Sequence, residues 1–194
     1  MNFDFRKRGG FTLAEVLIVV AVVGILSTMA ITSYTHYRKA SLIDIAAENI
    51  VSQLNEMRDG VKFGENASDE THCKGLMFTG LVGGQIQKFN LPYEGKKSWA
   101  DGNWKSSGCN GEMQFFDFDM DDLVSVEGLY EGGREISECG VMFAPPNGEL
   151  VTMGCEGASV LGVLIQYGDV EKYSRLILID LVTGVTNVKK DFEK

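Results

Sequence analysis

The hydrophobic pattern splits the chain into three regimes. From Phe11 to about Ile31 nearly every position is apolar, a run of about 20 residues, long enough to cross a bilayer's hydrocarbon core as one helix. After that the pattern becomes periodic. Ile43, Ala47, Ile50, Leu54, Met57 and Val61 recur at spacings of four and three, which places them on one face of a helix. Asp44, Glu48, Ser52, Gln53, Glu56 and Arg58 fall largely off that stripe. Gly60 or Gly64 suits a C-cap, so the spacing predicts one helix of roughly 75 Å, apolar all round at first and amphipathic later.

Beyond the helix the rhythm shortens. Residues 64 to about 112 read as loop-rich, punctuated by Gly64, Gly75, Gly80, Gly83, Gly84, Gly95, Gly102 and Gly108. Met113 to Met120 alternates, with Met113, Phe115, Phe116, Phe118 and Met120 against Asp117, Asp119 and Asp121, which predicts a half-buried strand. Gly140 to Ala144 is strand-like, and Pro145-Pro146-Asn147-Gly148 is a turn. Apolar runs follow at Val160 to Tyr167 and Ser174 to Leu181, then a Thr183-Gly184 turn before Val185 to Val188. The sum is an α+β chain: a long N-terminal helix, membrane-spanning in its first half, packed on a C-terminal, mainly antiparallel β-sheet head.

The start of the chain carries the sharpest chemistry. Arg6, Lys7 and Arg8 precede Gly9-Gly10, and Phe11-Thr12-Leu13-Ala14-Glu15-Val16 opens the apolar run. Glu15 is the one charge inside it, and a bare carboxylate in lipid costs roughly 2.5 kcal/mol or more, so it requires a partner. A secretory signal peptide has a shorter apolar core and a small-residue cut site after it, which Met29-Ala30 matches poorly. A twin-arginine signal is broken by Lys7. A plain anchor explains the length and keeps the cations cytoplasmic, but leaves Glu15 and the glycines unexplained.

The stretch Gly10-Phe11-Thr12-Leu13-Ala14-Glu15-Val16 resembles the processing motif of type IV prepilins and type II secretion pseudopilins. The resemblance implies cleavage between Gly10 and Phe11 by a prepilin peptidase, and N-methylation of the new amine on Phe11. The cut precedes the apolar run, so the anchor is retained. Residues 1–10 then form a leader, 11–31 the transmembrane and assembly helix, 32–63 its amphipathic continuation and 64–194 an exported β-rich head. The family's use of Glu15 implies that it pairs with the Phe11 amine of a neighbouring subunit, giving docking a register; the alternative is that it faces its own amine. Many members carry proline where this chain has Thr32, so little kinking is expected there unless Gly24 or Thr28, Thr32 and Ser33 loosen the helix. The runs from Val141 to Gly148 and Arg175 to Val185 more weakly resemble H-type pseudopilins and related minor pilins.

Composition narrows what the head does. The formal net charge is −9, and loss of the leader makes it more negative by two, which disfavours nucleic-acid binding. Cys73, Cys109, Cys139 and Cys155 all lie in the exported region, where an even count favours disulfides. Four cysteines allow three pairings; Cys73–Cys109 with Cys139–Cys155 closes moderate loops and is preferred. Lys88, Tyr93, Lys96, Lys97, Trp99, Trp104 and Lys105 interleave cations with aromatics. They form either a lid packed on the sheet or a binding surface for a single strand or for sugar rings. The aspartate series lacks the Gly and Glu of an EF-hand loop, so a solvated strand face is preferred to calcium and no cofactor is expected.

No HExxH, GxSxG, P-loop or Rossmann pattern occurs, and His36 and His72 form no catalytic constellation, so the chain is read as a non-enzyme. The resulting expectation is a minor pilin or H-type pseudopilin: a structural subunit anchored once in the cytoplasmic membrane with its head outside, then built into a pilus or secretion filament. Its expected partners are the prepilin peptidase, other pilins and the assembly platform membrane protein. The alternatives are a DNA-uptake minor pilin and a solitary membrane-tethered receptor or hydrolase domain.

Overall fold

The computed structural model describes residues 12–63, 72–80, 84–93, 108–155, 157, 159–168 and 172–190. One helix, α1 (Leu13–Phe63), is unbroken through both Gly24 and Thr32. Ten strands follow: β1 (His72–Thr79), β2 (Ile86–Pro92), β3 (Gln114–Asp117), β4 (Val124–Glu131), β5 (Arg134–Ile136), β6 (Glu138–Ala144), β7 (Glu149–Met153), β8 (Val160–Tyr167), β9 (Ser174–Asp180) and β10 (Thr186–Lys189). They make two five-stranded antiparallel sheets, ordered β3-β2-β1-β6-β7 and β10-β9-β8-β4-β5.

The chain divides into two compact units, residues 1–39 and 40–194. In the second, the predicted helix stripe is the centre of the core. Ile43, Ala47, Ile50, Leu54 and Val61 are buried, with Ala46 beside them and Met57 partly buried. Leu76, Phe78, Val141 and Phe143 of the first sheet and Val126, Leu129, Leu161, Val163, Ile177 and Ile179 of the second join the same cluster. Period-two alternation delivers these side chains, since every second residue of a strand points to one face. The other face of the first sheet buries a smaller cluster of Cys73, Phe89, Leu91, Cys109, Met142 and Ala144.

Two disulfides join Cys73 to Cys109 and Cys139 to Cys155. The Pro145–Pro146 bond in the β6–β7 turn is cis. Gly148 closes that turn at φ +64°, against the Arg58 carbonyl and the Lys62 side chain of α1.

Two expectations need correction. The region from 64 to about 112 is not simply loops: it contains β1 and β2, and Gly75 lies inside β1 rather than at a turn. A Cβ on Gly75 would sit 2.5 Å from the Val141 carbonyl oxygen and 2.7 Å from the Phe89 ring, so glycine here makes room for the cross-strand neighbour Phe89. The alternating stretch 113–120 yields only the short strand β3, and all four of its residues are exposed because β3 is a sheet edge. Phe118 and Met120, just past it, do pack on the core.

One polar contact ties the helix to the second sheet. Arg175 of β9, 8 % exposed, donates from Nε to Asp44 Oδ1 at 2.6 Å and from Nη1 to the Ser174 carbonyl at 2.7 Å. Lys190 Nζ lies 3.6 Å from the other oxygen of Asp44. The hydrogen bond from Arg175 holds the Asp44 carboxyl below its ordinary range, against a weaker opposing effect of burial. A depressed carboxylate pKa contributes stability above the unfolded value and loses it as pH falls through the folded one. Resistance of the full chain in detergent to urea unfolding is therefore expected to fall below about pH 4. Asp44→Ala, which strands a buried guanidinium, is expected to cost about 3 kcal/mol. It should cost more than Arg175→Met, and equal losses would show that burial of Arg175 is not what makes the pair matter.

Candidate functional site

The first helical turn organises the N-terminal site. Thr12 precedes the helix and Glu15 lies three residues on, the spacing of a capping box. The Thr12 backbone N–H donates to Glu15 Oε2 at 2.8 Å and its hydroxyl donates to the same oxygen at 2.9 Å. The Glu15 backbone N–H donates back to the Thr12 hydroxyl at 3.3 Å. The carboxylate therefore sits at the positive end of α1, where the helix dipole favours an anion. This role was legible in the Thr12-x-x-Glu15 pattern before an apolar run, a signal the reading of Glu15 as a lone charge passed over.

From Leu13 onward the first unit exposes its apolar side chains on every side: Leu13 is 78 % exposed, Ile18 64 % and Met29 66 %. This helix is long and apolar enough to cross a membrane. Four of its hydroxyls suit such a setting because they are satisfied within the helix. Ser27 donates to the Val23 carbonyl at 2.7 Å, Thr28 to that of Ile25 at 2.7 Å, Thr32 to that of Thr28 at 2.8 Å and Thr35 to that of Thr32 at 2.8 Å. In lipid an unsatisfied polar group costs several kcal/mol, so back-bonding removes the main objection to four hydroxyls there.

Of the other predicted site residues, Gly10, Phe11, Lys96, Lys97, Trp99, Trp104 and Lys105 lie outside the described residues. Lys88 is on β2 with its ammonium 5.6 Å from the Phe118 ring centre. Tyr93 bridges to Cys109 beside the first disulfide and packs on the smaller cluster, away from Lys88's contact with Phe118. Among the described residues no group of three or more His, Cys, Asp or Glu converges as a metal site. In the aspartate series, Asp121 accepts from the Leu123 N–H and the Asp119 carbonyl accepts from Asn49.

An exposed apolar helix with a capped acidic residue in its first turn, continuous with a stripe that anchors a β head, defines a membrane-anchored subunit of pilin type. The comparisons specify the class. The model of the prokaryotic N-terminal methylation motif matches residues 5–31. The chain is 32 % identical over 127 residues to a type IV major fimbrial protein FimA of Dichelobacter nodosus, covering 60 % of this chain and 72 % of the relative. A second FimA of that organism is 32 % identical over 120 residues, covering 60 % and 71 %. A third is 41 % identical over 86 residues, covering 41 % and 48 %. No solved structure matches the chain. The chain belongs to the type IV pilin superfamily. It is a pilin-like structural subunit, and its relatives are structural pilins rather than enzymes.

Removing the cap tests the local geometry. Thr12→Val deletes both hydroxyl bonds and is expected to destabilise the start of the helix by about 1 kcal/mol. Amide exchange at residues 13–16 of the detergent-solubilised chain should accelerate, while Thr12→Ser restores protection. Unchanged exchange in Thr12→Val would show that the box does not hold the helix start.

Proposed function

We propose that the chain is a minor pilin or H-type pseudopilin, made as a precursor, cut between Gly10 and Phe11 by a prepilin peptidase, N-methylated on Phe11 and assembled through its helix into a filament. In this reading residues 1–10 are the leader, 11–31 the transmembrane and assembly helix, 32–63 its amphipathic continuation and 64–194 the head. The observation that carries it is a single carboxylate, Glu15, in an otherwise uncharged run that reaches Ile31. The Thr12 bonds hold that carboxylate at the helix N-terminus, next to the bond that processing would cut. A methylated amine freed at Phe11 is a cation in the same apolar setting. Two charges that are each costly in lipid become tolerable when paired between subunits, and the pairing fixes the axial register of docking.

Arg6, Lys7 and Arg8 before the span support a cytoplasmic leader by the positive-inside rule, and the two disulfides favour a head in an oxidising compartment. The implied partners are the peptidase, other pilins and the platform membrane protein that lifts subunits out of the bilayer. The named relatives are major fimbrial proteins. A major-subunit role would show as dominance of this chain in sheared filaments, and a minor role as a trace.

Gly10→Val is expected to leave the precursor uncut, and mass spectrometry of the native N-terminus reads this directly. Glu15→Ala is expected to be processed yet scarce in sheared filaments. Glu15→Gln separates the two duties of that side chain: glutamine serves in a capping box but carries no charge. Incorporation should therefore fail in Glu15→Gln although the helix start stays protected. Normal filaments from that variant would refute the charge pairing, and an intact initial decapeptide on the native protein would refute processing itself.

A further inference from the structure

A groove of about 360 Å³ with a mixed polar and apolar lining runs between α1 and the β1-β2-β3 side of the first sheet. Its floor carries Lys74 and Asn90, which face each other across β1 and β2. Its outer lip carries Lys88 and Phe116, which face each other across β2 and β3, followed by Asp117. The helix wall contributes Gln53 and Glu56, already joined by a Gln53 Nε2 to Glu56 Oε2 bond of 3.1 Å.

The lip is held in place before any ligand arrives. Asn49 donates from Nδ2 to the Asp119 carbonyl at 3.0 Å, tying the segment after β3 to the helix. The Lys88 ammonium rests on the Phe118 ring. Phe116 is nevertheless 46 % exposed, on a strand whose four residues are all exposed.

The chemistry of the lining selects a ligand class. Two ammoniums and two carboxylates line the groove, so it has no net formal charge to favour an anion or a cation. The remaining polar groups are the carboxamides of Gln53 and Asn90, which donate and accept equally, and Met57 adds an apolar thioether. Such a mixture is matched by hydroxyl groups, each also both donor and acceptor. An exposed phenyl beside them supplies a flat apolar platform. A sugar ring combines those features: a rim of hydroxyls and one face of C–H bonds.

We propose that this groove binds a neutral saccharide, with the ring's C–H face on Phe116 and its hydroxyls on Lys74, Asn90 and Gln53. The site is independent of filament assembly and goes beyond the pilin reading.

The test uses the full chain in a detergent without a sugar headgroup. Saturation-transfer NMR is run against the methyl glycosides of glucose, galactose, mannose and N-acetylglucosamine, and against inorganic phosphate as competitor. The expected result is transfer to ring C–H protons of at least one glycoside, insensitive to phosphate. Phe116→Ala should weaken binding about fivefold or more, and Phe116→Trp should restore it. Asn90→Ala, read in parallel, should weaken binding without altering thermal unfolding. Transfer to none of the four glycosides overturns the proposal. So does binding unchanged in both alanine variants, or binding displaced by phosphate, which would mark an anion site instead.

Discussion

Burial of one helix stripe between two sheets is the interaction on which the head depends. Each sheet is antiparallel and apolar on the face that meets residues 43–61, and neither could close a core without that segment. Ile43, Ile50 and Leu54 alone are almost wholly buried. At about 2–3 kcal/mol for each large aliphatic side chain removed from water, the three together match the roughly 5–15 kcal/mol net stability of a domain. A head expressed without this part of the helix would lose a contribution comparable to everything that keeps it folded. The same covalent element thus serves as core of the head and as continuation of the anchor.

The first unit faces the opposite problem. Its side chains from Leu13 to Ile31 are exposed all round, and no sheet covers them. Such a surface calls for apolar surroundings, and the helix is long and apolar enough to find them across a membrane. The backbone has no such need, since a helix satisfies its own polar groups, and the hydroxyls of Ser27, Thr28, Thr32 and Thr35 follow the same rule. Glu15 is the group this economy cannot neutralise. Within the capping box its carboxylate receives hydrogen bonds from Thr12 and no cation.

The elements legible in the sequence were those whose partners are local or whose face is uniform. The stripe at 43–61 was readable because a 3.6-residue period survives any tertiary context that buries one side. Strands β6, β8, β9 and β10 were readable from apolar runs bounded by Pro145–Gly148, Gly168 and Thr183–Gly184. Loop length favours the same cysteine pairs that the structure joins. What stayed hidden was non-local. Gly75 reads as a breaker until Phe89 is known to lie across from it. β3 alternates like a half-buried strand, yet at the sheet edge, paired on one side only, all four of its residues stay exposed. The Asp44–Arg175 pair spans 131 positions, and nothing near either residue announces the other.

That pair also explains how a largely apolar core acquires one register. Greasy surfaces slide, and a stripe of Ile, Leu and Ala tolerates small displacements along a sheet. Asp44 holds the start of β9 through Arg175, while just past its end a Cβ on Gly184 would lie 3.4 Å from Phe143 and 3.7 Å from Arg58 Nη1. The β9–β10 turn is itself rigid, because the Asp180 carboxylate accepts from the Val182 and Thr183 N–H groups and those bonds lower its pKa. Strand β9 is therefore tied to the helix at its start by the Arg175–Asp44 ion pair. A buried ion pair adds little net stability compared with apolar packing, but it strongly penalises any alignment that separates the charges. The head is thereby given one defined position along residues 43–61 of the helix that anchors it.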